Sequence, residues 1–357
     1  MNSKSLFQNH FQNLPLSTAK AHGRVNLIGE HTDYNQGFVL PTLIEQYIEV
    51  SVSLRQDSKI LGVSEEFGEV EVDLNSKVDG SWIDFIRGAC YYIEQKNYPI
   101  QGLNIAVTSS VPTGSGLSSS AALEISLLRA LTQLHGIDIS SQEIAKIGQS
   151  IEHNFIGTQC GIMDQMASST AKFGQALFLD CENLHSEIIP VFKDHTFVVI
   201  HSGSTRKLSQ GKYNERKDET EMASNILKIP SLRYATLDQL ELIKDEIIRK
   251  RARHIITENE RVINATALLK KGDAFNFGQL MNQSHASMDE DYEISSPELN
   301  LVVKAAKEAG SLGARLTGAG FGGCVVLLTT NDKAEDMQKI VLRNCPNSYW
   351  VTNISQN

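Results

Sequence analysis

The stretch GLNIAVTSSVPTGSGLSSSAALEISLLRALTQLHG, residues 102–136, predicts three consecutive elements and decides the class of fold. Its first part, Leu103–Val107, is rich in β-branched and apolar residues and predicts a buried strand. From Leu117 to Leu131 apolar residues recur every three or four positions, which indicates one buried face of a helix. Gly136 is placed to end that helix. The stretch therefore reads as strand, loop and helix.

The loop between this strand and this helix is rich in glycine and serine. Gly114 and Gly116 allow a tight turn and a close approach of the backbone to a ligand. Ser118–Ser120 follow where the helix begins, and a helix start offers unpaired N–H groups to a phosphate. The loop lacks the lysine of GxxxxGK[ST], so it is not a Walker A loop. A serine-capped helix after a linker is the alternative interpretation.

Further along the chain, strands and helices mix without a strict βαβ rhythm. Ile48–Leu54 alternates as a strand, Ser141–Asn154 predicts a helix, and Phe197–Ile200 predicts a buried strand. Residues 218–269 read mainly as charged amphipathic helices. The expected class is therefore α+β. A composition shift near Pro190 suggests two domains, 1–190 and 191–357.

Composition excludes several classes of function. The chain has 357 residues, a formal net charge of −9 and no basic patch, which argues against a nucleic-acid partner. No apolar run reaches the roughly 18 residues of a membrane span, and the first residues do not read as a signal peptide. The five cysteines are scattered without a CxxC pair. A reduced cytosol is the expected compartment.

The turn GRVNLIGEHTDYNQGFVLP, residues 23–41, concentrates polar groups between two apolar runs. It brings Arg24, Glu30, His31 and Asp33 close together in sequence. Polar groups in such a setting need hydrogen-bond partners, and the hydroxyls of a sugar can supply them. A solvated hairpin loop is the alternative.

A second glycine cluster, LTGAGFGGC at 316–324, contains a formal GxGxxG. In a dinucleotide-binding fold this motif follows a strand and opens a helix. Here it is expected to follow a helix and to lead into a strand, Cys324–Leu328. A dinucleotide-binding oxidoreductase is therefore disfavoured.

Two acids twelve residues apart, Glu152 and Asp164, form the last candidate cluster. Asp164 lies among apolar residues, where a carboxylate is either paired or functional. Its expected partner is Arg24, and a purely structural Asp–Arg pair is the alternative. His153 suggests a metal site only weakly.

Together these motifs resemble the galactokinase family of the GHMP small-molecule kinases, and the likeness runs nearly end to end. It rests on GRVNLIGEHTDYN at 23–35, GSGLSSSAALE at 114–124, GIMDQ at 161–165, YNERK at 213–217, RARHIITENERV at 251–262, SHASMDEDYEISSPELN at 284–300 and LTGAGFGGC at 316–324. The resemblance implies a two-lobed α+β fold. The N-terminal lobe would resemble the second domain of ribosomal protein S5, and the C-terminal lobe would be ferredoxin-like.

The resemblance also implies ATP-dependent phosphorylation of the anomeric hydroxyl of galactose, with Mg²⁺ as cofactor and no obligate protein partner. Asp164 would be the base, and Arg24 would hold it ionised and stabilise the transferring phosphoryl group. The sugar would be held by Glu30, His31, Thr32, Asp33, Gly161, Asp164 and Tyr213. ATP would be held by Gly114, Ser115, Gly116, Leu117, Ser118, Ser119 and Ser120, and Mg²⁺ by Ser120 and Glu152.

Two positions depart from the family pattern. His22 stands where a proline is usual, which frees φ and restores an N–H ahead of Arg24. Lys217 stands where arginine is common. Two rival functions remain: a kinase for N-acetylgalactosamine, and a galactose- and ATP-binding regulator without catalysis. The galactose form of the motif at 31–35 disfavours the first, and the retained loop, base and Arg24 disfavour the second.

Overall fold

The computed structural model describes residues 1–204 and 209–356, and its helices and strands confirm the α+β class. The α-helices are α1 (Ser3–Phe11), α2 (Ile83–Glu94), α3 (Ser119–His135), α4 (Ser141–Ile151), α5 (Met163–Thr170), α6 (Ser209–Leu227), α7 (Glu246–Lys271), α8 (Ala274–Glu290), α9 (Pro297–Glu308) and α10 (Ala334–Asn344). The strands are β1 (Ser17–Asn26), β2 (Phe38–Val39), β3 (Pro41–Arg55), β4 (Lys59–Ser64), β5 (Gly68–Asp73), β6 (Gly102–Ser109), β7 (Gln175–Asp180), β8 (Ser186–Pro190), β9 (His195–His201), β10 (Gly313–Thr317), β11 (Cys324–Thr330) and β12 (Tyr349–Ile354). Within the described part of the chain, no helix is both long and apolar enough to span a bilayer.

The chain forms two compact units that are not two sequential halves. The first unit comprises Met1–Gly23, Glu45–Pro112 and Ser118–Thr170. The second unit comprises Arg24–Ile44, Thr113–Leu117 and Ala171–Asn357. The polar turn and the first part of the glycine-serine loop therefore group with the C-terminal residues. The domain limits 1–190 and 191–357 stay a prediction.

In the first unit, the sheet and the helices agree with the alternating and helical patterns of apolar residues in the sequence. The β3 segment Ile48–Arg55 pairs antiparallel with β6, and β6 pairs parallel with β4. A parallel pair needs a crossover, which here contains β5 and α2. Helix α3 is apolar on most faces and is packed against α2, α4 and α5.

The helix predictions in this unit are confirmed. Helix α3 ends at Gly136, whose left-handed conformation, φ 64°, suits a residue without Cβ. Ser140 caps α4 by accepting the N–H of Glu143 at 3.2 Å. The predicted helix 141–154 is α4 followed by a short π-helical turn, Glu152–Ile156.

The second unit contains a four-stranded antiparallel sheet in the order β10–β11–β9–β12. The central strands β9 and β11 are buried along nearly their whole length, as their apolar runs predict. Helices α7, α8, α9 and α10 and the sheet share one apolar core. A second group of strands in this unit, β2, β7 and β8, pairs antiparallel.

One expectation about the second glycine cluster is wrong. Residues 313–317, just ahead of Gly318, form strand β10 and not a helix. The cluster therefore joins two antiparallel strands, β10 and β11. It opens no helix, so the dinucleotide interpretation still fails. The strand was missed because Arg315 interrupts a short apolar run that offers little periodicity.

We expect Gly278→Ala to destabilise the second unit. A Cβ on Gly278 of α8 would lie 2.5 Å from the carbonyl carbon and oxygen of Leu312. Because these are backbone atoms, they cannot move aside as the end of a flexible side chain can. The predicted loss is about 1–3 kcal/mol of unfolding free energy, the usual cost of overpacking, in chemical denaturation. Gly211→Ala in α6 is the matched control, because a Cβ there meets nothing within 4 Å among the residues that the structure describes. Equal stability of Gly278→Ala and wild type would contradict the argument.

Candidate active site

Arg24 is fixed to the glycine-serine loop within the second unit. Its backbone N–H donates to the carbonyl of Leu117 at 3.1 Å, and its Nη1 donates to the carbonyl of Gly116 at 2.8 Å. The residue is buried. Main chain and guanidinium of Arg24 are thus both tied to the loop.

Glu30 is buried in the same unit and has a partner on each carboxylate oxygen. Oε1 accepts the N–H of Gly318 at 2.5 Å, and Oε2 accepts the side-chain amide of Asn26 and lies 3.4 Å from Nη2 of Arg315. Burial raises the pKa of Glu30, and Arg315 is the largest influence opposing that rise. The hydrogen bond from Gly318 therefore joins the second glycine cluster to the polar turn, residues 23–41.

His31 joins the turn to the second glycine cluster as well. Its Nε2 lies 3.2 Å from the carbonyl of Ala319, and because a carbonyl only accepts, Nε2 carries the proton. In the neutral ring, Nδ1 then accepts from the Tyr34 hydroxyl at 2.8 Å. The ring of Tyr213 lies 5.3 Å from that of His31, centroid to centroid. The turn and the YNERK segment are therefore neighbours, as the resemblance implies.

Thr32 and Asp33 complete the turn. The Thr32 hydroxyl lies 2.7 Å from the carbonyl of Phe38 and 3.0 Å from that of Gly29, so it holds the turn closed. Asp33 begins a short 3₁₀ turn and is half-buried. Of the expected sugar residues, the second unit thus groups Glu30, His31, Thr32, Asp33 and Tyr213.

In the first unit, the candidate base contacts the start of helix α3. The Ser118 hydroxyl donates to Oδ2 of Asp164 at 2.5 Å. Ser118 has a left-handed backbone, φ 60°, which is strained for a residue with a side chain and is common at functional positions. Asp164 lies in the first turn of α5. The loop serine and the expected base are therefore directly linked.

Next to this pair lies a buried cluster of carboxyl groups. Glu152 is hydrogen-bonded to Ser120 and to Glu124, and burial raises the pKa of both glutamates. Asp164 raises both pKa values further through its charge. Oε2 of Glu124 accepts the amide of Gln165 at 3.1 Å, while its Oε1 has no hydrogen-bond partner within residues 1–204 and 209–356. Carboxylates in such a setting favour a cation.

This donor set fits a magnesium ion. Hydroxyl and carboxylate oxygens at Ser120 and Glu152 are the ligands that Mg²⁺ prefers, and Glu124 adds Oε1, which has no hydrogen-bond partner in the described part of the chain. Among residues 1–204 and 209–356, no three His, Cys, Asp or Glu side chains are grouped as a metal-binding set. A site with few protein ligands suits Mg²⁺, which keeps waters and phosphate oxygens in its shell.

His153, which the sequence suggests only weakly as a metal ligand, forms a hydrogen bond to the backbone. Its Nε2 lies 2.9 Å from the carbonyl of Cys160, and the side-chain amide of Gln149 donates to the same oxygen at 3.2 Å. Both groups hold the chain just before Gly161, another expected sugar residue, in the first unit.

The sequence interpretation gave no role to three buried charged residues near these groups. Glu124 and Glu258 of α7 were quoted only within motifs, and Arg315 of β10 lies just ahead of the second glycine cluster. All three are fully buried. For Glu258 the available signal was its place on the helix face of Ile255 and Val262, where a charge among apolar residues needs a partner.

Three protein-family models match parts of this chain that contain the motifs described above. The galactokinase galactose-binding signature matches residues 5–54, the N-terminal domain of GHMP kinases matches residues 84–172, and the C-terminal domain of GHMP kinases matches residues 265–347. A galactokinase of Glaesserella parasuis is 39% identical over 96% of this chain and 92% of its own. One of Actinobacillus pleuropneumoniae is 40% identical over 95% and 91%.

Solved structures show the same fold. The galactokinase of Lactococcus lactis, solved with galactose, matches with a TM-score of 0.91 and 34% identity, covering 99% of this chain and 97% of the other. A mevalonate kinase of Methanococcus jannaschii matches with a TM-score of 0.70 at 22% identity, over 95% and 98%. The second likeness concerns the fold alone.

We expect stability to fall as the pH drops below about 6.5, the usual pKa of histidine. Burial lowers the pKa of His254 and of His285 to about 4 each, so the unfolded chain binds these protons first. At pH 5.5 each histidine should therefore lower the free energy of unfolding by about 1 kcal/mol. Chemical denaturation at pH 5.5 and 7.5 measures this difference.

His285→Asn is the informative variant for this prediction. Nδ1 of His285 accepts the N–H of Leu316 at 3.4 Å, and an asparagine oxygen offers an acceptor without a titrating ring. The variant should lose less stability between the two pH values than wild type. An equal loss would contradict the assignment to His285.

Proposed function

The chain belongs to the galactokinase family of the ATP-dependent GHMP kinases, and from this premise we propose which residues phosphorylate the anomeric hydroxyl of galactose. The observation that carries the proposal is the 2.5 Å hydrogen bond between Ser118 of the glycine-serine loop and Asp164. It links the segment expected to hold the phosphates to the expected base. Phosphoryl transfer asks a protein mainly for positioning and charge neutralisation.

Asp164 is the proposed base. A carboxylate within hydrogen-bond reach of the anomeric hydroxyl can accept its proton as that oxygen bonds to the γ-phosphorus of ATP and ADP leaves. Ser118 donates to Oδ2 of Asp164, and this bond orients the carboxylate.

The glycine-serine loop, Gly114–Ser120, is the proposed seat of the ATP phosphates. Helix α3 begins at Ser119, so its first N–H groups have no partner within the helix and point towards an anion. Gly114 and Gly116 have positive φ of 68° and 78°, which leaves their backbone open to close approach. Arg24, held on Gly116, supplies the positive charge proposed to stabilise the transferring group.

Ser120 and Glu152 are the proposed ligands of Mg²⁺, which neutralises phosphate charge when it is bound with ATP. Glu124 accompanies them by its hydrogen bond to Glu152. Within the protein, Ser120 sits one residue into α3, and Glu152 follows the end of α4. Both groups are therefore carried by helices, which position side chains more firmly than loops do.

The galactose hydroxyls are proposed to bind Glu30, Asp33, Asp164, Gly161 and Tyr213. Carboxylate oxygens each accept more than one hydrogen bond, so the existing partners of Glu30 orient it without exhausting it. Both ring nitrogens of His31 and the hydroxyl of Thr32 form hydrogen bonds to other groups of the protein. We propose that these two residues mainly hold the shape of the turn.

The cytoplasm is the proposed compartment. All five cysteines are free thiols, and three of them are buried, as suits a reducing environment. ATP, the co-substrate of the family, is abundant in that compartment. We infer no obligate protein partner.

Asp164→Asn should lower kcat by roughly 10²–10⁴-fold, the usual contribution of a general base, because the amide cannot accept the proton. ATP binding should stay near wild type, since Asp164 does not hold the nucleotide in this proposal. ADP release with galactose and nucleotide titration measure the two effects. Asp138→Asn, on an exposed loop, is the control. Near-normal turnover of Asp164→Asn would rule the assignment out.

Glu152→Gln should raise the Mg²⁺ concentration required for half-maximal activity by about tenfold or more, because a charged oxygen ligand becomes neutral. ADP release over a Mg²⁺ series at saturating ATP measures it. Glu143→Gln, on the exposed start of α4, makes the same chemical change away from the cluster. A Mg²⁺ requirement equal in the two variants would remove Glu152 from the proposed ligands.

A further inference from the structure

One guanidinium is buried between two carboxylates in the second unit. Nη2 of Arg315 lies 3.4 Å from Oε2 of Glu30 and 3.7 Å from Oε1 of Glu258. The exposed fraction is 0% for Arg315, 1% for Glu30 and 0% for Glu258. A charge removed from water to this extent needs a compensating charge nearby.

Glu258 is well supplied by other donors. Its Oε1 accepts the N–H of Gly29 at 2.9 Å and the hydroxyl of Ser284 at 2.7 Å, and its Oε2 accepts Nε of Arg261 at 2.6 Å. Arg261 is therefore the strongest cationic influence on Glu258, and Arg315 is the second. For Glu30, Arg315 is the stronger cationic influence and Arg24 the weaker one.

The contacts of Arg315 also point to Glu30. Its Nη1 lies 3.4 Å from the carbonyl of Asn26, on the strand that leads into the turn, and its Nε makes no hydrogen bond in the described part of the chain. Its Nη2 also donates to Sδ of Met288 at 3.3 Å, so the guanidinium forms no two-fold fork with either carboxylate. Thr317 lies two residues after Arg315 on β10, and its hydroxyl donates to the carbonyl of Asn26 at 3.0 Å. This hydrogen bond holds β10, and with it Arg315, next to Asn26.

We propose that Arg315 is a positioning residue for the sugar: its guanidinium holds the Glu30 carboxylate in the orientation that accepts hydrogen bonds from galactose. This inference rests on the proposed sugar contact of Glu30. It assigns to β10 a part in substrate affinity that is separate from phosphate binding. Arg315 touches Glu30 and not the reacting atoms.

The groups facing Glu30 come from several elements. Arg24 lies at the end of β1 and Arg315 on β10, while Glu258 and His254 project from α7. Nε2 of His254 donates to the backbone carbonyl of Glu30 at 3.1 Å. Burial and the charge of Glu258 raise the pKa of Glu30, and the two arginines lower it, Arg315 the more strongly. Removal of Arg315 would therefore move the loss of the Glu30 charge to higher pH.

The test compares Arg315→Gln with Arg315→Lys in steady-state kinetics from pH 5.5 to 8.5. For Arg315→Gln the KM for galactose should rise by about tenfold, because a buried carboxylate that loses its neighbouring cation is held in place less firmly, and should rise further as the pH falls. Arg315→Lys keeps the charge and should recover most of the affinity. The KM for ATP should stay within about twofold of wild type.

Arg261→Gln is the matched control, because it removes a guanidinium from the same network without contact to Glu30. It should lower stability without a pH-dependent KM for galactose. A galactose KM of Arg315→Gln that matches wild type, or that changes like Arg261→Gln, would overturn the proposal. Failure of both Arg315 variants to fold would also overturn it, since the residue would then serve stability.

Glu30→Gln separates this inference from the proposed function. If its KM for galactose is normal, the sugar contact of Glu30 is wrong and the role of Arg315 falls with it. If Glu30→Gln binds galactose weakly while Arg315→Gln binds it normally, only the inference about Arg315 fails.

Discussion

The burial of carboxylates is the constraint on which both units depend. In the second unit, Glu30 and Glu258 lie out of water and stay compatible with folding because Arg315, Arg261 and backbone N–H groups face them. These contacts join α7, β10 and the polar turn. The turn therefore owes its shape to elements more than 200 residues away in sequence.

The first unit handles the same constraint differently. Around Glu124 and Glu152, the strongest influences on the pKa are burial, the two carboxyls themselves, Asp164 and neutral hydrogen-bond donors. No lysine or arginine is among these influences. A cluster of this kind is stabilised when a cation arrives with the substrate, which fits an enzyme that takes up ATP with its metal. The compensating charge at Glu30 and Glu258 is thus built into the protein, whereas at Glu124 and Glu152 it is proposed to arrive with ATP.

Much of the fold could be read from local patterns. The limits of α3 followed from apolar spacing and from Gly136, because a helix end depends on nearby residues. Strand β10 was missed, because Arg315 has a charged side chain that is tolerated only where distant carboxylates surround it. For the site, the motifs identified Ser118 and Asp164 but not their hydrogen bond, since 46 residues separate them.

The sequence alone determined the family, the α+β class and the residue types available for sugar, phosphate and metal, because these depend on composition, spacing and motif. The tertiary structure decided which of these groups face one another. It turned His31 and Thr32 towards the protein, gave Glu30 a buried arginine, and placed Glu124 beside Glu152. The physical reason is that charge compensation acts through space, and a linear pattern does not contain the distances on which it depends.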